Sequence, residues 1–267
     1  ISSIRGGYSN AVKQLNKFIE FGYQDYAQYR SDPSKEASSQ LSPYFHSGQI
    51  STHEVFDKIS ELESWSPESI NPKMVGRREG WWGSSDNFES FMDELITWRE
   101  LGYHTCVRRA NYNQYSSLPE WAIKTLQEHS LDEREHIYSL DELTYSQTHD
   151  EIWNAAQNQL RTQGVIQNYL RMLWGKKILE WTPNPQIALS YMITLNDRYS
   201  LDGRDPNSYS GVFWILGRYD RAWGPERSIF GKIRYMTSDS TARKFNLKPY
   251  LEQWGNESLG VTTSILK

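Results

Sequence analysis

Arg171 stands in the middle of VIQNYLRMLWGKKILEW, residues 165–181, whose apolar residues fall on nearly every face of a helix. A helix of that kind is buried. A buried guanidinium is costly unless a carboxylate or an anionic ligand meets it, so this segment demands a partner from elsewhere. Trp174 and Trp181 lie seven apart on one face, about 10.5 Å along the axis and so beyond the roughly 4.5–7 Å of ring contact. Trp153 lies eleven residues before Gly164, and an antiparallel reversal at that glycine brings it level with about residue 175. Three indoles in file could pass an electron. The same spacing suits three core tryptophans, and spacing alone leaves both readings open.

Other chemistries are excluded by what is missing. The sequence holds no G-x-G-x-x-G and no Walker-type loop to cradle phosphates. The histidines (His46, His53, His104, His129, His136, His149) form no HxxxH or HExxH pair, and Cys106 is alone, so neither a metal site nor a disulfide framework is expected. The stretch from Asp202 to Asn207 has the look of a calcium loop, but its alternating ligands break at Arg204 and Pro206, and Phe213 offers nothing bidentate. Asp220-Arg221 and Glu226-Arg227 read as surface pairs of little energetic weight.

The elements that must position these residues read as helices. At 267 residues, 37% hydrophobic and 23% charged, the chain suits one large globular domain or two ordinary ones. No apolar run approaches the roughly 18 residues of a membrane span, so no membrane partner is expected. Position 1 is Ile and no signal peptide follows, which reads as a cut or processed start. The single cysteine favours a reducing, intracellular setting, cytoplasmic or nucleoid-associated. The 11 Trp, 17 Tyr and 9 Phe imply a thick core or stacking surfaces for flat ligands. Residues 161–250 carry 14 Lys and Arg against 7 Asp and Glu, on a chain of net charge −4, which permits contact with a polyanion.

Leu15, Phe18, Tyr26 and Tyr29 recur at helical spacing over 10–29. Ser51–Glu54, Ser139–Glu142 and Thr148–Glu151 read as capping boxes, and Pro43, Pro119 and Pro185 as first-turn prolines. Gly164 stops the helix begun at Thr148 and hinges it to the next. No alternating run supports a strand, so the fold is expected to be all-α. The chain is read as a single domain, 1–267, with an irregular insertion at 63–87 and a C-terminal tail at 251–267. Trp81-Trp82 argues that the insertion folds back onto the body.

The motifs match a family in chain order. THDEIWNAAQ, LRMLWGKKILEWT, LNDRYSLDGRDPNSYSG and FGKIRYM resemble class II cyclobutane pyrimidine dimer DNA photolyases. YAQYRSDP and LSPYFHSGQIS look like that family's RNDP and LSPYLHFGQIS segments, and DELITWRELGY like its Glu-and-Trp helix. The likeness runs from residue 26 to about 250, interrupted mainly by 63–87. It implies the all-α, photolyase/cryptochrome-type FAD-binding domain. The α/β antenna domain that normally precedes it is not in this chain, either cut away or lacking in this member.

The resemblance implies FAD, active in its reduced anionic form, beside an Arg171–Asp202 ion pair, which answers the burial question. Asn196 matches the amide that faces flavin N5. Tyr26 and Leu41-Ser42-Pro43-Tyr44 match segments holding the FAD phosphates and ribityl chain, with Ser42 either aiming backbone N–H groups at an anion or simply capping a helix. Glu94 and Trp98, four apart on one helix and hence on one face, match residues that hydrogen-bond the dimer and pack on it. Met172 and Trp214 match the rest of the lesion pocket. Trp174, Trp153 and Trp181 match the electron-transfer chain, in that order outward from the flavin.

The implied activity is that of a deoxyribodipyrimidine photo-lyase, splitting dimers flipped out of UV-damaged duplex DNA. Arg30, Lys232 and Arg234 would contact phosphates or fill the vacated space, with Trp223 near the opened strand. Nothing requires more than a monomer. Gln167, Asn168, Val165, Ser31 and Ser47 depart from the family's His, Gly, Lys, Asn and Phe, and the 217–223 loop is one residue short. Most departures lie by the DNA-facing rim and bear on lesion affinity. A cryptochrome-like photoreceptor would keep the flavin and the tryptophans without repair; joint retention of Glu94, Trp98, Met172, Asn196 and Trp214 speaks for repair. A cofactor-free helical module would have no use for Arg171 and Asp202 together.

Overall fold

The computed structural model describes residues 3–77 and 79–256. Among them the expected all-α character holds, with an isolated bridge between Arg227 and Gly231 and no sheet. They divide into two compact units, one ending at His104 and one beginning at Thr105, each with its own apolar core.

In the first unit α1 (Tyr8–Lys17) continues through a π turn (Phe18–Gly22) and a 3-10 turn (Tyr23–Asp25) into α2 (Tyr26–Tyr29). The extra residue of a π turn shifts the helical phase, and Phe18, Tyr23 and Tyr26 all pack edge-on or tilted around Phe91, at 5.2 to 6.3 Å. Next come α3 (Ser42–His46), α4 (Thr52–Leu62) and α5 (Asp86–Met92), then a second π turn (Asp93–Trp98) and α6 (Arg99–Arg108), which runs across the division. Ser51 caps α4, accepting the Glu54 N–H at 3.0 Å. The 63–87 segment folds back onto its own unit. The Trp65 indole N–H donates to the Trp82 carbonyl at 2.7 Å, and the Trp65 ring stacks on Phe88 at 5.4 Å.

The second unit holds α7 (Glu120–Glu128), α8 (Leu140–Thr144), α9 (Glu151–Gln163), α10 (Asn168–Glu180), α11 (Pro185–Tyr199), α12 (Pro206–Ile215), α13 (Ser238–Lys244) and α14 (Lys248–Trp254). The Ser139–Glu142 capping box forms in full. Gly164 ends α9 in the left-handed region at φ 74°, where a Cβ would lie 2.5 Å from Leu201 Cγ.

Four boundaries differ from expectation. Asp150, not Thr148, caps α9, accepting the Trp153 N–H at 2.9 Å, while the Thr148 hydroxyl donates to Asn154 Oδ1 at 2.8 Å; Glu151 is then the first helical residue and cannot close a box. Pro119 occupies the cap of α7 with extended ψ, ahead of the first turn. The 165–181 helix starts only at Asn168, because Gln167 Oε1 accepts the N–H groups of Tyr169 and Leu170 at 2.7 and 3.2 Å. Residues 251–254, read as part of a tail, complete α14, and the Asn158 amide donates to the Trp254 carbonyl at 3.1 Å; 257–267 lie outside the described residues.

Gly175 is where α10 meets α11 and α12. A Cβ there would lie 2.1 Å from Ile215 Cδ1 and 3.0 Å from Met192 Sδ, in a fully buried setting. Gly175→Ala is expected to destabilise by about 1–3 kcal/mol through overpacking. The denaturant midpoint measures it, and Ile215→Val added to Gly175→Ala should restore part of the loss.

No helix among the described residues is long and apolar enough to cross a membrane. None of their His, Cys, Asp and Glu residues cluster as a metal site would require.

Candidate active site

Arg171 on α10, Asn196 on α11 and Asp202 just beyond α11 come together in the second unit. Arg171 Nη1 donates to Asn196 Oδ1 at 2.6 Å, and Nη2 lies 4.0 Å from Asp202 Oδ1. Arg171 keeps 19% of its side chain exposed and Asp202 20%, so both are partly buried rather than sealed. Asn196 itself is 2% exposed, and its amide N–H groups go to Ser208 Oγ and, at 3.4 Å, Asp197 Oδ1. The Ser200 hydroxyl binds Asp202 Oδ1 and holds that carboxylate in place. Spatially, the carboxylate demanded by a guanidinium in an apolar helix is present. The pairing distance, however, is that of a loose ion pair, and the tighter partner is an amide.

The tryptophans also converge in this unit. The Trp153 and Trp181 rings meet edge-on at 5.6 Å. The Trp153 indole N–H donates to the Trp174 carbonyl at 2.9 Å, and the Trp174 indole N–H donates to Gln157 Oε1 at 2.8 Å. All three are buried. Reversal at Gly164 thus brings the Trp153 ring against Trp181 and its indole N–H to the Trp174 carbonyl. Met172 packs against the same core partly buried, and Trp214 on α12 meets Tyr219 edge-on at 6.1 Å.

Trp223, Lys232 and Arg234 form a cationic–aromatic patch of the same unit. Arg234 lies over the Trp223 ring at 4.7 Å, and the Trp223 backbone N–H donates to the Lys232 carbonyl at 2.9 Å. Arg221, expected as half of a surface pair with Asp220, covers the same indole at 4.2 Å. Its placement two residues before Trp223 in a basic stretch was the available signal.

In the first unit, Glu94 and Trp98 sit in a π turn rather than an α-helix. Trp98 Nε1 donates instead to Asp93 Oδ2, five residues back, at 2.8 Å. Glu94 Oε1 accepts from Arg30 Nη1, and Arg30 lies 5.8 Å from the Tyr26 ring centroid. Tyr26, Leu41, Pro43 and Tyr44 are buried. Ser42 does not cap α3. Leu41, already close to helical geometry, holds the cap position without a side-chain bond, and Ser42 is the first helical residue, exposed.

The chain is 42% identical over 252 residues to a deoxyribodipyrimidine photo-lyase of Methanothermobacter thermautotrophicus, covering 94% of this chain and 51% of that protein. It is 38% identical over 251 residues to one of Potorous tridactylus, covering 94% and 44%. Over nearly its whole length the chain is similar to these photo-lyases. It spans about half the length of these relatives. A crystal structure of a bacterial class III photolyase from Agrobacterium tumefaciens shares the family fold with a TM-score of 0.67 at 18% identity, over 94% of this chain and 45% of that one. No family model matches the chain. The family's helical part is what the two units represent.

Proposed function

We propose that this chain is the helical FAD-binding catalytic domain of a class II photolyase that repairs cyclobutane pyrimidine dimers in DNA with light. The observation that carries this reading is the meeting of Arg171, Asn196 and Asp202 at the inner end of a buried tryptophan file. Those residues fit the flavin on chemical grounds: of five guanidinium N–H groups, Arg171 commits one to Asn196 and places another 4.0 Å from Asp202, leaving donors for an anionic ring. Bound and reduced, FAD supplies the light-excited electron that opens the cyclobutane ring. Arg171 favours the anionic form electrostatically, with Asp202 balancing its charge. Asn196, held by Ser208, presents a fixed amide dipole to the ring. Tyr26 and the Leu41–Tyr44 segment, buried in the first unit apart from Ser42, match the motifs that hold the dinucleotide's remaining parts in the resembled photolyases. The class II assignment rests on the motifs around Trp153, Trp174 and Trp181.

Glu94 binds the dimer, with Arg30 as its positioning partner, and Trp98, Met172 and Trp214 pack on the bases. Arg221, Trp223, Lys232 and Arg234 meet the backbone and the opened strand of a lesion flipped from the duplex. One working unit, intracellular and monomeric, suffices for this chemistry.

The test is to purify the protein, record its visible spectrum and illuminate it with dimer-containing DNA. Bound flavin with light-dependent repair is expected. A colourless protein overturns the flavin reading, and bound flavin without repair under reducing conditions favours a cryptochrome-like receptor. Glu94→Ala is expected to lower repair about tenfold, the effect of a hydrogen bond worth roughly 1.4 kcal/mol, with flavin retained. Repair quantum yield and absorption measure the two. Flavin release would show that Glu94 has another role.

A further inference from the structure

We propose that Thr125 and Asp132 set how sharply this chain tells damaged from intact DNA, by anchoring the loop that carries Trp223, Lys232 and Arg234 to the end of α7. The inference rests on the repair reading for what that loop meets, while the anchoring is independent of it. The loop first closes on itself. The Trp223 N–H donates to the Lys232 carbonyl at 2.9 Å, and Arg227 and Gly231 exchange backbone bonds at 3.1 and 2.7 Å. Ile229, Phe230 and Ile233 are buried and join the apolar core of the second unit.

Two side chains outside the loop then take up its backbone. Thr125 Oγ1, on α7 and 2% exposed, accepts the Lys232 N–H at 3.0 Å. Asp132 Oδ2, just past that helix, accepts the Ile229 N–H at 2.8 Å, the Ser228 hydroxyl at 3.2 Å and the His129 Nδ1 hydrogen at 2.7 Å. The Ile229 N–H first, then His129, holds the Asp132 carboxyl below the usual carboxylate range, so it stays an acceptor. Ile229 has φ 67°, a left-handed backbone that a β-branched residue rarely adopts. Such a conformation persists where its surroundings over-determine it, and the Asp132 bond and the buried side chain do so here. Gly231 is pressed as closely. A Cβ there would lie 2.1 Å from Thr125 Oγ1 and 2.7 Å from His129 Cδ2.

The anchored loop carries its charge at the surface. Lys232 keeps 52% of its side chain exposed, 3.6 Å from Glu226, and Arg221 and Arg234 lie over the Trp223 ring. Affinity for intact duplex comes from cations meeting phosphates, which a loose loop supplies as well as a tight one. Accepting a flipped dimer is different. The opened strand must be met by an aromatic ring and its flanking guanidinium groups in one geometry, and a loop ordered beforehand loses little entropy on binding. Rigidity therefore favours the damaged site selectively, and Thr125 and Asp132 act as positioning residues.

The full chain with its flavin bound is titrated, by fluorescence anisotropy, with a duplex carrying one cyclobutane thymine dimer and with the same duplex undamaged. Thr125→Val is expected to weaken binding of the dimer duplex about tenfold, the effect of one lost hydrogen bond. Affinity for the intact duplex and its salt dependence should stay as in the native protein. Thr125→Ser, which keeps the hydroxyl, should restore discrimination, and Asp132→Ala should lower it as Thr125→Val does. Equal weakening on both duplexes, or none on either, overturns the proposal. Amide hydrogen exchange reads the anchor without DNA. The Lys232 amide should exchange faster in Thr125→Val and the Ile229 amide faster in Asp132→Ala, with α9 and α10 amides unchanged. Native rates at both positions overturn the anchor. A native protein that binds the two duplexes alike, with the exchange changes present, would sink the repair reading and leave the anchored loop standing.

Discussion

Replacing Trp174 with Phe is expected to slow light-driven reduction of the bound flavin by about a hundredfold or more, equivalent to roughly 3 kcal/mol on the barrier, while repair by chemically reduced protein changes little. Trp174 is the indole nearest Arg171, one helical turn along α10, and it is 2% exposed. Its N–H donates to Gln157 Oε1 at 2.8 Å, and its carbonyl receives the Trp153 indole N–H at 2.9 Å. Phenylalanine keeps an aromatic ring there but is much harder to oxidise, so the file is cut at its first member. The backbone carbonyl survives, and Trp153 keeps its hydrogen bond. The structural cost is a smaller ring and an unsatisfied Gln157 oxygen, about 1–3 kcal/mol. Transient absorption after a flash, set beside repair yield under dithionite, separates the outcomes. Equal loss of both would mean that Trp174 serves the fold or the lesion rather than electron supply.

Native stability is expected to climb with pH from about 7 towards the unfolded lysine value of about 10.4, and Lys176→Met should remove that climb. Lys176 on α10 is fully buried, and its Nζ donates to the Ile215 carbonyl at 2.5 Å. Burial is the largest cause of its lowered value, with Arg234 adding to it and Asp220 opposing. The sign follows from proton counting. Between those two values the unfolded chain holds the proton and the folded one does not, so raising pH favours folding by about 1 kcal/mol per pH unit. Below about 7 both states are charged, and the folded protein bears the full cost of a buried ammonium. Methionine never bears it. It does, however, strip the partner from Ile215, the last residue of α12, whose carbonyl has no helical donor. The variant should therefore be at least as stable as the native protein in mild acid and less stable in mild base. Urea midpoints across that range measure the crossing. Parallel curves would show that Lys176 stays charged, or stays neutral, throughout.

Local signals were legible where neighbours in the chain settle the matter. Ser51 and Ser139 cap because the donors they satisfy lie three residues away. Gly164 ends its helix because only glycine fits both φ 74° and the press of Leu201. Failures came where two local solutions compete. Asp150 outbids Thr148 at α9, since a carboxylate serves the positive helix end better than a hydroxyl. The π turns at Phe18–Gly22 and Asp93–Trp98 carry no sequence signature, and within the second Trp98 bonds Asp93, five residues back.

Residue types and order along the chain were enough to give a helical protein, a resemblance to photolyases, a guanidinium in need of a partner and three indoles at the reach of one hairpin. They were silent on who that partner would be. Folding put an amide at 2.6 Å from Arg171 and the carboxylate only at 4.0 Å, tied Arg30 to Glu94 and set a phenol and an imidazole beyond the last tryptophan. The reason is range. Caps, turns and periodicity are decided within a few residues, whereas hydrogen-bond partners separated by tens of residues depend on how side chains fill a shared interior, and no local pattern encodes that filling.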